Sequence, residues 1–323
     1  MTTKVYVAGL CIALVTGCSA VASPDLPASI SIPGDRLFTE SLTSSRDGTV
    51  YISSYGIDGY GARTIYRAAP GSAVAQVWIP PASETSPGYL GVFVDDNANI
   101  LWACVLPERM AGQPQTAPSI LRAFDLSTGA IKASYPMPTP QGVCNDIAIA
   151  EDGTVYATDT ENMEIVRLRP GASALELWSG SGAFGEKGGI LDGIAILGGR
   201  VFVNTLATNM LFAVPIELGG AAGPVSTIEL NRPILAPDGM RSFGQDLLLV
   251  ESGGPGRLSR VTVSGNSGVV ATLSENYPGG AVAVTVVGTN AYVLAAQFAA
   301  EETLPKTPTR PYEAVAVDVG TVP

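Results

Sequence analysis

The stretch VCNDIAIAEDGTVYATDT, residues 143–160, has the pattern of two short β-strands joined by a tight turn. Apolar residues alternate on both sides of Asp152 and Gly153, and Asp-Gly is the dipeptide that supplies the backbone angles of a hairpin turn. We therefore interpret Asp152 as a turn residue. The polar residues at the two ends of the stretch, Asn145 and Asp159, are not explained by the hairpin itself.

The same hairpin pattern occurs six times along the chain. One anchor residue marks each copy: Tyr51, Trp102, Tyr156, Phe202, Leu248 and Tyr292, which are 51, 54, 46, 46 and 44 residues apart. Two more strand-like runs follow most copies, so each unit holds four strands, and such a period indicates radial or stacked repeats. The sequence therefore predicts an all-β fold, a six-bladed β-propeller. Two unrelated β-sandwiches are the alternative, but no linker interrupts the six copies.

The sixth unit has only one clear run after its hairpin, at residues 313–319, so its fourth strand must come from elsewhere. The run ASISIPGD, residues 28–35, precedes the first unit. Because a ring must hide its first and last edges, we expect this N-terminal strand to close the ring. Residues 25–323 then form a single propeller domain.

Residues 1–24 have the layout of an export signal. Lys4 precedes an apolar run from Val5 to Val15, which is too short to span a membrane, and small residues follow. The sequence VTGC resembles a bacterial lipobox, in which Cys18 becomes a lipid-anchored first residue; plain cleavage near residues 19–23 is the alternative. We expect a periplasmic or extracellular protein, with contact to a membrane only through Cys18.

Four cysteines are present, and two of them, Cys11 and Cys18, belong to this leader. Cys104 and Cys144 remain, at the mouth of adjacent predicted blades. In an oxidising compartment they could form a disulfide, and two free buried thiols are the alternative.

Composition excludes several kinds of chemistry. The chain has no histidine, which removes Ser-His-Asp triads, Cys-His pairs and histidine-based zinc sites. A formal charge of −11 without clusters of Lys or Arg argues against nucleic acid as a partner. Carboxylates, amides, hydroxyls or a metal must carry any reaction, and the charge is compatible with a bound cation.

Aligning the six hairpins on their turns places one position of each innermost strand in register. The residues at this position are Glu40, Leu90, Asn145, Asp192, Asp238 and Val282. In a ring, equivalent positions lie on a small circle around the axis, so four oxygen-bearing side chains converge while Leu90 and Val282 form an apolar wall. Three converging carboxylates repel one another unless a cation neutralises them, and oxygen ligands without His or Cys favour calcium.

At these residues the chain resembles a family, the calcium-dependent six-bladed propellers that include gluconolactonase-like senescence marker proteins, paraoxonases and diisopropylfluorophosphatase. The resemblance spans residues 38–298 and rests on FTESL around Glu40, the opening stretch around Asn145, LDGIAI around Asp192 and APDGM around Asp238. It implies that Glu40, Asp192 and Asp238 ligate the metal and that Asn145 reaches the metal or the substrate.

The chain departs from this family at two of these places. Asp192 stands where an Asn is usual, and the added negative charge either tightens the binding of the ion or leaves Asp192 available as a base. Val143 stands where the sugar-lactone enzymes have an Arg, so the resemblance does not carry over their aldonolactone specificity.

Three loop acids have two interpretations each. Asp159 follows the second strand of its hairpin toward the mouth, where it either lines the pocket and binds substrate or caps the loop. Asp58 and Glu251 lie in similar glycine-rich loops. Trp102 and Tyr156 are interpreted as blade core.

Two hypotheses follow for the function. The first is an exported, monomeric hydrolase of a small lactone or ester, in which calcium polarises the carbonyl and Asp238 or Asp192 acts as base or nucleophile, with Asn145, Asp159 and Leu90 contacting the substrate. The second is a non-catalytic propeller that binds a ligand or a protein and carries a structural calcium ion.

Overall fold

The computed structural model describes residues 1–2, 26–56, 63–81, 87–107, 117–180, 182–277, 279–298 and 311–321. The export leader with Cys11 and Cys18, and the loop that contains Asp58, lie outside these residues. The described residues form six β-sheets, antiparallel except for one short pairing at an outer edge, and the sheets are arranged as the blades of a propeller, as the sequence predicts.

The first three blades each contain four strands in simple chain order. They are β2 (Thr39–Ser44), β3 (Val50–Ser54), β4 (Ile65–Ala68) and β5 (Gln76–Ile79) in blade one; β6 (Tyr89–Asp95), β7 (Ile100–Val105), β8 (Ile120–Asp125) and β9 (Ile131–Pro136) in blade two; and β10 (Cys144–Ile149), β11 (Val155–Asp159), β12 (Glu164–Leu168) and β13 (Glu176–Ser179) in blade three.

The last three blades follow the same order, except that blade five has a short fifth strand at its outer edge and blade six takes its outer strand from the start of the domain. Their strands are β14 (Leu191–Leu197), β15 (Arg200–Thr205), β16 (Met210–Pro215) and β17 (Ser226–Thr227) in blade four; β19 (Pro237–Phe243), β20 (Asp246–Glu251), β21 (Arg257–Ser264) and β22 (Ser267–Glu275), with the short β18 (Glu229–Leu230) beside β22, in blade five; and β23 (Ala281–Val287), β24 (Asn290–Ala295), β25 (Tyr312–Asp318) and β1 (Ser29–Ile32) in blade six.

The N-terminal strand closes the ring. β1 pairs antiparallel with β25, with Ser29 opposite Val315, and so supplies the missing fourth strand of blade six. Ser31 also exchanges backbone hydrogen bonds with the segment before β5 in blade one, through Ala73 and Ala75. One short strand therefore joins the first blade to the last, and the predicted closure is confirmed.

The hydrophobic core lies between the blades. Each of its six clusters spans one seam between neighbouring blades. Tyr156 and Trp102 are 1% and 6% exposed and belong to these clusters, as predicted. Each blade has two apolar faces, and it can bury these faces only against the two neighbouring blades. The packing between blades therefore fixes the positions of the inner strands around the axis.

The hairpin turns form one mouth of the central channel. Gly153 has a φ of 83°, a conformation that suits glycine, and the Asp152 carboxylate accepts a hydrogen bond from the Thr154 N–H. Asp152 is thus a turn residue at the mouth opposite the predicted site. No helix among the described residues has the length and apolar character needed to cross a membrane.

Candidate functional site

Every inner strand carries a β-bulge at the same place. In blade three, Cys144 is opposite Asp159 and Ile147 is opposite Ala157, so that two residues of β10 face one of β11. The residues at the irregularity are Glu40 and Ser41, Leu90 and Gly91, Asn145 and Asp146, Asp192 and Gly193, Asp238 and Gly239, and Val282. The residues aligned from the sequence are thus all bulge residues, and bulges redirect side chains next to functional sites.

The three predicted carboxylates share one electrostatic environment. Burial raises the pKa of Asp192 to about 8, and repulsion from Asp146 adds to this effect. Burial, followed by repulsion from Asp192 and Glu40, raises the pKa of Asp238 well above its usual value. The pKa of Glu40 is raised in the same way, by burial and then by Asp192 and Asp146. The three carboxylates are therefore near enough to one another for their charges to interact.

These polar groups have few partners in the protein. The side chains of Glu40, Asn145 and Asp192 make no hydrogen bond to any described residue. The Asp238 carboxylate accepts one hydrogen bond, from the adjacent Gly239 N–H at 3.0 Å. Asn145, Asp192 and Asp238 are only 5–8% exposed. Buried polar groups are normally hydrogen-bonded because desolvation without a partner costs free energy, so this cluster has the character of a ligand site.

An ion pair beneath the cluster was missed by the sequence analysis. Arg241 of blade five donates from Nη1 to Asp146 of blade three, at 2.9 and 3.2 Å from the two carboxylate oxygens, and both side chains are buried. Arg241 also donates to the Val92 carbonyl of blade two and lies 5.3 Å from the Phe93 ring centre. The pairing across the channel gave no periodic signal, although Asp146 directly follows Asn145 and Arg241 lies three residues after Asp238.

Arg241 also lines a cavity of about 220 Å³ toward the mouth formed by the hairpin turns. All six inner strands contribute to its wall, with residues that include Thr43, Phe93, Ile149, Ile194 and Thr285. The ion pair therefore lies between this cavity and the acidic cluster. The acidic cluster and the turn-side cavity are chemically different ends of the same channel.

The two predicted apolar residues lie at the ring in different degrees of burial. Leu90 is half-buried and packs against the core between blades two and three. Val282 is 1% exposed and belongs to the core between blades six and one. Leu90 thus keeps exposed surface that a ligand can contact, while Val282 has almost none.

Asp159 serves its loop. Its carboxylate is fully buried and accepts hydrogen bonds from the N–H groups of Val143 and Asn162, from the Asn162 side chain and from the Thr139 hydroxyl. These contacts correct the assignment of Asp159 as a substrate-binding residue, because both oxygens are committed to the protein. The loop-cap interpretation agrees with them.

Glu251 occupies the corresponding position in blade five. Its carboxylate is fully buried and accepts from Arg232 at 2.8 and 3.1 Å, from the Ser259 hydroxyl at 2.7 Å and from the Leu235 N–H at 2.9 Å. Asp159 and Glu251 both end the second strand of a blade and hold the segment that leads into the inner strand. Their shared position indicates a structural role.

The donors fit a hard divalent cation by their chemistry. Carboxylate and amide oxygens without His or Cys are the ligands that calcium prefers, and a cation would offset the repulsion that raises the three pKa values. Among the described residues, however, no three His, Cys, Asp or Glu side chains stand close enough together to hold a metal ion as they are placed. The side chains of Glu40, Asp192 and Asp238 would have to draw together around it.

No protein-family model matches the chain, and no curated protein matches it by sequence. Solved structures do match over nearly the whole chain. The major allergen Mala s 1 of Malassezia sympodialis is 15% identical, with a TM-score of 0.69 over 91% of this chain and 96% of the allergen. A gluconolactonase from Xanthomonas campestris is 13% identical, with a TM-score of 0.60 over 91% and 99% of the two chains.

A third similar structure is regucalcin from Agrobacterium tumefaciens, described as a calcium-binding protein. It is 14% identical, with a TM-score of 0.59 over 92% of this chain and 99% of that chain. The matches to a gluconolactonase and a regucalcin agree with the resemblance drawn from the motifs. At these identities the likeness shows a common fold.

Proposed function

We propose that the protein is a hydrolase of small lactones or related esters that depends on a divalent cation, with calcium as the favoured ion. The observation that carries this proposal is the group of polar side chains at one end of the channel, in which Glu40, Asn145 and Asp192 have no hydrogen bond to a described residue and Asp238 has one, from the adjacent Gly239 N–H. The likeness in fold to a gluconolactonase and to a calcium-binding regucalcin supports the same class of function.

In this proposal Glu40, Asp192 and Asp238 hold the cation, and Asn145 binds it or orients the substrate. The bound cation would polarise the scissile carbonyl and stabilise the oxyanion. Asp192 or Asp238 takes the proton of the attacking water or attacks directly. Leu90 offers an apolar contact to the substrate.

We further propose that the protein is exported, acts as a monomer, and is either lipid-anchored through Cys18 or released by plain cleavage. The disulfide between Cys104 and Cys144, whose Cα atoms are 5.2 Å apart, supports an oxidising compartment. The scarcity of clustered basic residues supports a small-molecule substrate over a nucleic acid.

Calcium binding is tested by thermal melts during a calcium titration of the wild type, Glu40→Gln and the turn variant Asp152→Asn. Binding to the native state alone stabilises it by about 2.7 kcal/mol at a hundredfold excess over Kd. We expect Glu40→Gln to blunt the response and Asp152→Asn to keep it. Equal responses in all three proteins would place the cation elsewhere.

Catalysis is tested with a panel of lactones and aryl esters, assayed with calcium and with a chelator. We expect chelator-sensitive turnover that Asp238→Asn abolishes while circular dichroism shows an intact fold. Turnover that is absent, or indifferent to chelator, would contradict the hydrolase.

A non-catalytic role for the cation is the second candidate. The four polar residues come from blades one, three, four and five, so an ion bound by all of them would hold the ring together. In that case Asp238→Asn lowers the melting temperature in calcium, and the wild type turns over no ester.

A further inference from the structure

In blades three and four, a polar side chain of the second strand, opposite the bulge, forms a hydrogen bond to the next blade. In blade three, Thr158 accepts the Asp146 N–H and donates to the Asp192 carbonyl of blade four at 2.9 Å. In blade four, Asn204 accepts the Gly193 N–H and donates to the Asp238 carbonyl of blade five at 2.6 Å. Each tether therefore fixes the backbone of a proposed ligand from the preceding blade.

Blade two has a cysteine at this position. In the strand register Ala103 is opposite Val92, so the next residue, Cys104, lies opposite the bulge of blade two. Thr158 in blade three and Asn204 in blade four occupy the same position. Cys104 is bonded to Cys144 of blade three. The covalent link thus reaches the residue directly before Asn145, where a hydrogen bond reaches Asp192 and Asp238 in the next two seams.

The two backbones meet closely at this seam. A Cβ atom on Gly91 would lie 2.2 Å from the Asn145 carbonyl oxygen, and one on Gly193 would lie 2.2 Å from the Asp238 carbonyl oxygen. Glycine is needed at both positions because the next blade leaves no room for a side chain. The seam before Asn145 is therefore built like the seam before Asp238, except that its tether is a disulfide.

The disulfide does not have the exposure of a redox switch. Cys104 and Cys144 are both 0% exposed, so solvent thiols have no access to either sulfur in the folded protein. A permanent bond at this place acts on the geometry of the native state and on the entropy of the unfolded chain. Only the first effect concerns the site.

We propose that the Cys104–Cys144 disulfide is a positioning element for Asn145, the covalent counterpart of the Thr158 and Asn204 tethers. It joins the residue directly before Asn145 to blade two, whereas hydrogen bonds join Asp192 and Asp238 themselves to the preceding blades. The part of this inference that concerns cation affinity rests on the proposed function, whereas the part that concerns the placement of Asn145 does not.

The test compares two double variants that both lack the cross-link. Cys104→Ala/Cys144→Ala has no tether, whereas Cys104→Thr/Cys144→Ala introduces the hydroxyl that Thr158 provides in blade three. Their unfolded chains are equally unconstrained, so a difference between them reports on the native state. A third variant, Thr158→Val, removes the hydrogen bond from the Thr158 hydroxyl to the Asp192 carbonyl and so tests a tether at another seam.

Hydrogen exchange of the segment 143–148, measured in chelator, is the cation-independent readout. We expect exchange about tenfold faster in the Ala/Ala variant, confined to the site end of blades two and three, and largely restored in the Thr/Ala variant. In calcium titrations of both variants, we expect Kd to rise about tenfold without the tether and to recover with Thr, as for supporting residues of metal sites.

Equal exchange in the two double variants, or exchange that rises over the whole protein, would overturn the positioning role. If the wild type binds no calcium, the proposed function fails while the exchange comparison still decides this inference. If neither double variant folds, Thr158→Val decides it: faster exchange around Asp192 supports the tethers and unchanged exchange contradicts them.

Discussion

Two groups of buried carboxylates in this chain are held in opposite ways. Glu251, at the end of β20, is surrounded by Arg232, Ser259 and the Leu235 N–H. Burial alone would raise the pKa of Glu251, but these hydrogen bonds and the Arg232 charge outweigh it and the pKa is lowered. Asp192, on the inner strand β14, has no such partner, and burial raises its pKa to about 8.

The difference shows that burial does not decide what a carboxylate does in this fold. A carboxylate whose partners come from its own blade and the adjoining segment is part of the structure, and it is ionised at neutral pH at little cost. A carboxylate without protein partners needs water, a ligand or a proton to offset the cost of its burial. Removing each kind should therefore change stability in opposite directions.

The largest effect is expected for Glu251→Leu. The change leaves Arg232 and the Leu235 N–H without their acceptor, and breaking such a pair costs about 3 kcal/mol of unfolding free energy. Urea denaturation measures it. The control is Glu176→Leu, whose carboxylate also pairs with two arginines but is 51% exposed, so that about 1 kcal/mol or less is expected. Similar losses of stability in both variants would contradict the structural role of the buried Glu251 carboxylate.

A gain of about 1–2 kcal/mol is expected for Asp192→Asn in chelator at pH 8, because an amide removes a buried charge that has no partner. The same variant should lose its response to calcium. Asp159→Asn is the matched control, since the Asp159 carboxylate has four hydrogen bonds, and we expect this variant to be less stable than the wild type. A loss of stability in Asp192→Asn without calcium would mean that unseen partners hold this carboxylate.

The smallest effect is a pH slope. A carboxyl whose pKa is raised on folding binds more protons in the native state, so its contribution to stability is present below about pH 4 and is lost as pH rises toward about 8. Melts of the cation-free wild type and Asp192→Asn from pH 4 to 8 isolate this term by difference. We expect the wild type to lose stability relative to the variant as the pH rises through this range. A difference that stays constant with pH would contradict the raised pKa.

The fold was predictable because its signals are local. The hairpins carry their turn residues in the sequence, and their recurrence predicts the number of blades. The missing fourth strand of the sixth unit and the strand-like run at residues 28–35 together predict the closing role of β1. The short β18 beside β22 was not predicted, since two residues that pair in parallel at an outer edge leave no periodic pattern.

The site was predictable only as a register. The alignment placed Glu40, Asn145, Asp192 and Asp238 on one circle, and the mutual repulsion of the acids agrees with it. The bulges were invisible, because an extra residue opposite one partner can be recognised only once the strands are paired. The Arg241–Asp146 ion pair was invisible for a related reason, since it joins residues 95 positions apart across the channel.

The closing strand also has a consequence for how the protein is made. β1 is synthesised long before its partner β25, since Ser29 pairs with Val315, and pairings so distant in sequence form slowly. During that interval β1 is an unsatisfied edge, and edges invite wrong pairing. The strand is only four residues long and is flanked by Pro27 and Pro33. Short length and nearby proline both limit the pairing of an exposed strand with other chains. During biosynthesis, the ring therefore cannot close until β25 has been synthesised and has paired with β1.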